Sequence, residues 1–423
     1  MSSDTIRVTR LDNGLTIATD TMGSVQTATV GLWNNVGARH ETKANNGVAH
    51  FLEHMVFKGT KTRSVTDIAK TIENAGGYLN AYTSNENTAY YARMMADDVA
   101  LGLDVVSDLL LNPTFPEPEL ERERGVVLQE IGMYQDNPDS LVFHNAQSQA
   151  YGDTPLGRPI LGFSDTIKNM PRQTLVDFIQ DYYTPSTMVL AGAGALNHDS
   201  LVKQAEKLFA NVKPKAKPKF ESAIYQGGDI RQDKNDLEQV HLVLNFPAPD
   251  YYHEDYYTAA VLGSILGDGM SSRLFQEIRE KRGLVYSVYS YIESYADSGQ
   301  FGVYAGTGPE LVTELIPVLC DSLRSATGSF TPEEINRAKI QFRAQKLMAL
   351  ESTSKRCEKL AQNILKFNRP ISMEETLAKI DAVNAEKLDK LAHEIFSGKP
   401  TFSALGPLGK LESYDSICAR MKA

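Results

Sequence analysis

The chain repeats itself. The stretch FPEPELERERGVVLQE at 115–130 aligns with FTPEEINRAKIQFRAQ at 330–345, an offset of 215. GRPI at 157–160 aligns with NRPI at 368–371, an offset of 211, and TATVGLW at 27–33 with QVHLVLN at 239–245, an offset of 212. Ile167, Leu175 and Phe178 align with Ile380, Leu388 and Leu391 at 213. Four matches in one order, near one offset, describe a duplicated domain of about 210 residues. Each copy is long enough to close around its own core, and 423 residues hold two. The repeat predicts a first domain at 1–212 and a second at 231–423. Between them KPKAKPKFESAIYQGGDI, residues 213–230, has prolines, a glycine pair and no apolar periodicity, so it reads as a linker.

Within the first copy, residues 15–20, 25–33, 78–83, 88–94 and 187–193 read as strands, rich in β-branched and aromatic residues. Helical spacing of apolar residues predicts helices at 47–57, 65–74, 96–111, 117–135, 139–150, 172–183 and 199–210. Strands come early and helices cluster late. That pattern predicts α+β layers rather than βαβ alternation.

Composition excludes several functions. Hydrophobic residues are 42% and charged residues 23%, ordinary values for a globular chain. The formal net charge of −10 argues against a nucleic-acid partner. No apolar run reaches the length of a membrane span, and MSSDTIRVTRLDNGL lacks an apolar signal core and an Arg-rich transit pattern. Cys320, Cys357 and Cys418 are three, all in the second half, without CxxC spacing. No disulfide framework or cysteine metal site is expected, and a reducing compartment fits.

The chemistry concentrates in HFLEH, residues 50–54. His50 and His54 are four apart on a predicted helix, so both imidazoles leave one face about one turn apart. Two ring nitrogens placed so reach one metal ion, and Glu53 borders the same site. Two histidines beside a carboxylate that does not ligate is what a zinc hydrolase needs. A third ligand is required, and the 117–135 helix offers Glu123 and Glu130. They are seven apart on one helix face, so spacing alone does not choose between them.

The second copy lacks all of these residues. His50, Glu53 and His54 align with Leu262, Ile265 and Leu266, and Glu123 and Glu130 with Ala338 and Gln345. One half is predicted to be catalytic and the other a metal-free partner.

HFLEHMVFKGT at 50–60, followed by ELERERGVVLQEI at 119–131, resembles the inverted-motif zinc peptidases (inverzincins) of the pitrilysin and insulysin family. Within it the chain is most similar to the processing-peptidase β-subunit branch and its bacterial relatives. The resemblance implies one Zn2+ per chain held by His50, His54 and Glu130, with Glu53 as general base and Glu123 behind the ligands. It implies an α+β fold of two homologous domains, each an antiparallel sheet with helices packed on it, the processing-peptidase or LuxS-like metallohydrolase fold. GGYLNAYTSNENTAYY at 76–91 resembles the family's edge strand, where an extended peptide adds to the sheet; Asn80 and Ala81 would hold it, with Phe57 as a further substrate contact. IREKRGLVYSV at 278–288 resembles the segment whose arginine and tyrosine stabilise the developing oxyanion. Arg279 and Tyr286 match that pair, with Arg282 as the alternative.

The resemblance implies an endopeptidase of extended, unfolded or presequence-like peptides, closed into a chamber by homodimerisation. The bacterial cytoplasm is the expected setting, or the mitochondrial matrix for a processed form. The rival implied by the same fold is a non-catalytic core subunit like those of the cytochrome bc1 complex. The match does not extend to the acidic pair that reads a substrate arginine in processing peptidases. Ser140 and His144 occupy those positions, with Asp136 and Asp139 nearby.

Overall fold

A computed structural model describes residues 5–422; the first four residues of the N-terminal segment and Ala423 lie outside the described residues. Two sheets organise the chain. The first contains β1 (Ile6–Arg10), β2 (Thr16–Thr21), β3 (Thr27–Asn34), β4 (Tyr78–Thr83), β5 (Thr88–Met95) and β6 (Met188–Gly194), in the order β1-β2-β6-β3-β5-β4. The second contains β7 (Gly228–Asp233), β8 (Val240–Pro247), β9 (Ser287–Ser294), β10 (Gly299–Thr307) and β11 (Thr401–Gly406), in the order β7-β11-β8-β10-β9. Setting β1 aside, the two orders are the same, strand for strand, so the repeat in the sequence is a repeat of topology.

Neither sheet is wholly antiparallel as expected. β2 pairs parallel with β6, and β7 parallel with β11. Parallel neighbours need a long crossover, and in each copy the intervening strands and helices supply it.

The compact units are not the contiguous stretches 1–212 and 231–423. One unit joins the chain up to Gly132 with Pro159–Glu221 and Lys346–Glu374; the other joins Met133–Arg158, Ser222–Gln345 and the chain from Glu375. The reason is an exchange of helices. Helix Pro138–Tyr151, from the first half, packs on β7, β8 and β11, while its repeat-mate Thr353–Phe367 packs on β2, β3 and β6. Cys357, Leu360, Ala361 and Ile364 of the latter share a cluster with Ala18, Trp33 and Ala191. Val142 and Ala146 of the former do so with Val243 and Leu405. The stretch 213–230 is no free linker either. β7 starts inside it at Gly228, and the Phe220 ring lies 4.1 Å under the Arg39 guanidinium.

In the first unit the helix Val48–Val56, called the motif helix below, buries Val48, Phe51, Leu52, Met55 and Val56 in one core with Val30, Leu32 and Tyr90. Complete burial contributes roughly 1.5–3 kcal/mol for a side chain such as Phe51 or Leu52. This burial fixes the rotation of the helix and turns His50, Glu53 and His54 away from the core.

Candidate metal centre

The motif helix begins without a side-chain cap of its own. Gly47 sits at φ 93°, and a Cβ there would stand 2.7 Å from the Gly162 Cα, so only glycine fits the entry. Glu41 does the capping instead. Its buried carboxylate accepts from the backbone N–H of Gly47 (2.7 Å) and Ala49 (2.8 Å) and from the Asn46 amide (2.8 Å). An anion at a helix N-terminus satisfies its free donors and opposes the positive end of the dipole. The helix is thereby pinned one residue before His50.

His50, His54 and Glu130 come together. Their donor atoms lie within 4.8 Å of one another, and they are the one such group of three among the described residues. Glu130 Oε2 is 3.6 Å from His50 Nε2 and 3.5 Å from His54 Nε2. Donors of a tetrahedral ion with bonds of roughly 2.0–2.1 Å stand roughly 3.4 Å apart, so two imidazoles and a carboxylate at these separations fit zinc. Burial, helped by the neighbouring His54, lowers the His50 pKa to about 4, which keeps the ring neutral as a ligand must be.

The two glutamates approach His54 from different sides. Its Nδ1 lies 3.1 Å from Glu123 Oε2, and Lys58 Nζ lies 2.7 Å from Glu123 Oε1. Burial works against the Glu123 carboxylate, but the hydrogen bonds from Lys58 and His54 outweigh it and hold the group below the usual glutamate range. Glu123 thus meets Nδ1 of His54, while Glu130 approaches the Nε2 atoms of both histidines.

Glu53 stands beside this group. Its Oε2 accepts a 2.5 Å hydrogen bond from the Thr83 hydroxyl. Burial raises the Glu53 pKa, with Glu130 adding to it and Thr83 and His54 opposing.

Asn80 and Ala81 lie on β4, the end strand of the first sheet. Ala81 packs toward the core, and the Asn80 side chain accepts from the Ala81 N–H. Phe57 follows the motif helix and packs against the core. Arg279 and Tyr286 belong to the second unit. The Arg279 guanidinium, on the π-helical turn Phe275–Glu280, lies 5.5 Å over the ring of Tyr286, which is 77% exposed. Arg282 is tied to Glu277 at 2.9 Å instead. Of the acidic residues considered for reading an arginine, Asp139 is already engaged, accepting from the Tyr304 hydroxyl at 2.6 Å and lying 2.9 Å from His241.

Glu41, Lys58 and Thr83 were not singled out by sequence reasoning. Lys58 and Thr83 lie inside the two quoted motifs, FKGT and NAYTS, but nothing in their spacing points to their partners.

Comparison with known proteins gives the same region a context. Residues 16–164 match the model of the insulinase family (peptidase family M16), and 169–342 match that of the M16 inactive domain. A Rickettsia felis protein named as an uncharacterized zinc protease is 39% identical over 405 residues, covering 96% of this chain and 98% of that protein. The chain belongs to the M16 insulinase family. The bovine (Bos taurus) mitochondrial-processing peptidase subunit beta is 36% identical over 98% of the chain and 87% of its own length. Among solved structures, a protease from Helicobacter pylori superposes with a TM-score of 0.87 at 23% identity, covering 95% of this chain and 99% of that one, a likeness of fold. His50, Glu53, His54, Glu123 and Glu130 all fall in the first matched segment, and the second segment begins within the first copy and runs into the second.

Proposed function

We propose that this M16 member is a zinc-dependent endopeptidase acting on extended, unfolded peptides. The observation that carries the reading is the convergence of His50, His54 and Glu130 on one point with Glu53 beside them. His50, His54 and Glu130 would hold the zinc ion, which would supply Lewis acidity and make the attacking water more acidic. Glu53 takes the proton from the attacking water and returns it to the leaving amine. The edge strand β4 offers main-chain hydrogen bonds, so binding tolerates varied sequence and requires an extended substrate.

Arg279 and Tyr286 serve as the oxyanion pair. The stacking of the guanidinium on an exposed phenol supports this role. We infer further that two copies close a chamber and each supplies this pair to the other's site, since one chain carries both parts. No helix among the described residues is long and apolar enough to cross a membrane. The similarity to the Rickettsia felis protein favours a bacterial cytoplasmic setting. A purely structural subunit would have no use for three converged donors with a half-buried Glu53 beside them.

Zinc analysis followed by cleavage of an unstructured reporter peptide tests the proposal. Glu53→Gln removes a base and no ligand, so zinc should remain near one per chain while kcat falls by at least about 10³-fold. Near wild-type cleavage with zinc retained would remove Glu53 from the chemistry.

A further inference from the structure

The Thr83–Glu53 hydrogen bond links the edge strand to the base. Side chains alternate along β4. Leu79 and Ala81 pack toward the core that holds the motif helix, whereas Tyr82 points the other way and donates to Glu358. Period two puts Thr83 on the face of Leu79 and Ala81, toward the motif helix, where its Oγ1 meets Glu53 Oε2 at 2.5 Å. Oε1 of Glu53 accepts no hydrogen bond among the described residues.

Thr83 is also held firmly. It is the last residue of β4, in register with Thr88 of β5. The turn that follows is closed by Ser84 N–H to the Asn87 carbonyl (2.8 Å) and Asn87 N–H to Ser84 Oγ (3.0 Å). It is docked on the segment before the motif helix, with Ala38 and Arg39 N–H donating to the Ser84 and Asn85 carbonyls at 3.1 and 2.7 Å. Arg39 pairs with Glu86 of the same turn at 2.6 Å, both buried. Gly37 permits the approach, since a Cβ there would stand 2.2 Å from the Ser84 oxygen. A donor anchored on this many sides is preorganised, and a preorganised donor fixes the carboxylate it touches.

We propose that Thr83 is the positioning residue of the general base. Its hydroxyl clamps Oε2 of Glu53 and leaves Oε1 as the oxygen that exchanges protons with water and leaving amine. The inference rests on the peptidase reading and deepens it. Because Thr83 ends the strand to which substrate is proposed to add, the clamp sets the base relative to the bound peptide backbone. Loss of the clamp acts on turnover rather than on binding.

The test compares Thr83→Val, which keeps the shape and removes the hydroxyl, with Thr83→Ser, which keeps the hydroxyl. Thr83→Val should lower kcat about 10–100-fold with KM for an unstructured reporter peptide within about twofold, and Thr83→Ser should recover to within about threefold of wild type. Zinc affinity, read by chelator competition, should match wild type in both. In a Glu53→Gln background, Thr83→Val should leave peptide affinity unchanged and subtract nothing further from the residual rate, since the two residues act as one unit. Wild-type kcat in Thr83→Val, a serine variant as slow as the valine one, weakened zinc binding, or additive losses in the double variant would each overturn the clamp. If Thr83→Val does not fold, Thr83→Ala against Thr83→Ser makes the same comparison. Failure of the underlying reading is separate: Glu53→Gln cleaving like wild type removes the base itself, whereas an inactive Glu53→Gln beside a fully active Thr83→Val removes only the clamp.

Discussion

The two units use one strand order for opposite purposes. In the first, the helix beside the sheet carries His50, Glu53 and His54. In the second, helix Tyr256–Gly267 carries Leu262, Ile265 and Leu266 at the aligned positions, all buried. Ala338, aligned with Glu123, is buried as well, and Gln345, aligned with Glu130, reaches Asp268 at 3.4 Å. Where one copy spends helix surface on polar groups that need partners, the other fills the same places with core. The comparison shows that the strand order persists without the group of His50, His54 and Glu130, and that the first unit surrounds this group with polar supports. Those supports are Glu41, Glu123, Lys58 and Thr83.

The comparison is broken most severely by making the first unit resemble the second at the third ligand. Glu130→Gln installs the residue aligned in the second copy and should abolish stoichiometric zinc and with it peptide cleavage. Glu123→Gln should keep zinc at saturating metal but weaken affinity or activity by about 10–100-fold, as loss of a ligand's outer partner does. Metal analysis of the two purified variants decides, and the reverse ranking would exchange the roles of the glutamates.

A mixing experiment asks whether the two units cooperate across chains. Glu53→Gln and Tyr286→Phe chains should each be nearly inactive. In a homodimer with shared sites, the mixed dimer regains one intact site of two, so activity should climb toward half that of wild type per dimer. Absence of recovery, with subunit exchange demonstrated, would mean that each chain supplies its own tyrosine or acts alone.

Stability gives the third contrast. Leu262 is fully buried, so Leu262→Ala should cost about 2–5 kcal/mol through lost burial and a cavity. His50→Ala, at the aligned position, removes a partly exposed ring whose buried Nδ1 has no hydrogen-bond partner among the described residues, and should cost under about 1 kcal/mol in zinc-free protein. Urea transitions of the zinc-stripped variants measure both. A larger loss for His50→Ala would mean that the ring is part of the core.

Much of this was legible in the sequence. The motif helix was placed within a residue because Val48, Phe51, Leu52, Met55 and Val56 mark its buried face, and burial set that face in the structure. The repeat foretold the second sheet. The exchange of Pro138–Tyr151 and Thr353–Phe367 was not legible, because an apolar stripe tells a helix to pack without saying on which sheet. β1 leaves no sequence signal because most of it is exposed and no buried alternation marks it. Glu123 and Glu130 share a face, so their roles separate only through distances to the two nitrogens of His54. Thr83 and Lys58 act through single hydrogen bonds, which leave no period behind.

The smallest expected effect isolates one such bond. Lys58 has no part in ligation; it holds the Glu123 carboxylate, 7% exposed, from the side away from His54. Lys58→Met keeps the length and apolar stem of the side chain and removes the charge. Glu123 then loses a donor but keeps His54, so the imidazole should stay oriented with a looser hold. A partly exposed ion pair contributes about 0.5–1 kcal/mol, so the zinc Kd should rise about 2–5-fold, less than for Glu123→Gln. Lys58→Arg should return most of the loss, since a guanidinium also donates to a carboxylate. Chelator competition on the folded variants reads all three values in one assay. An effect of Lys58→Met as large as that of Glu123→Gln would mean that the lysine, and not only the glutamate it holds, sets the geometry of His54.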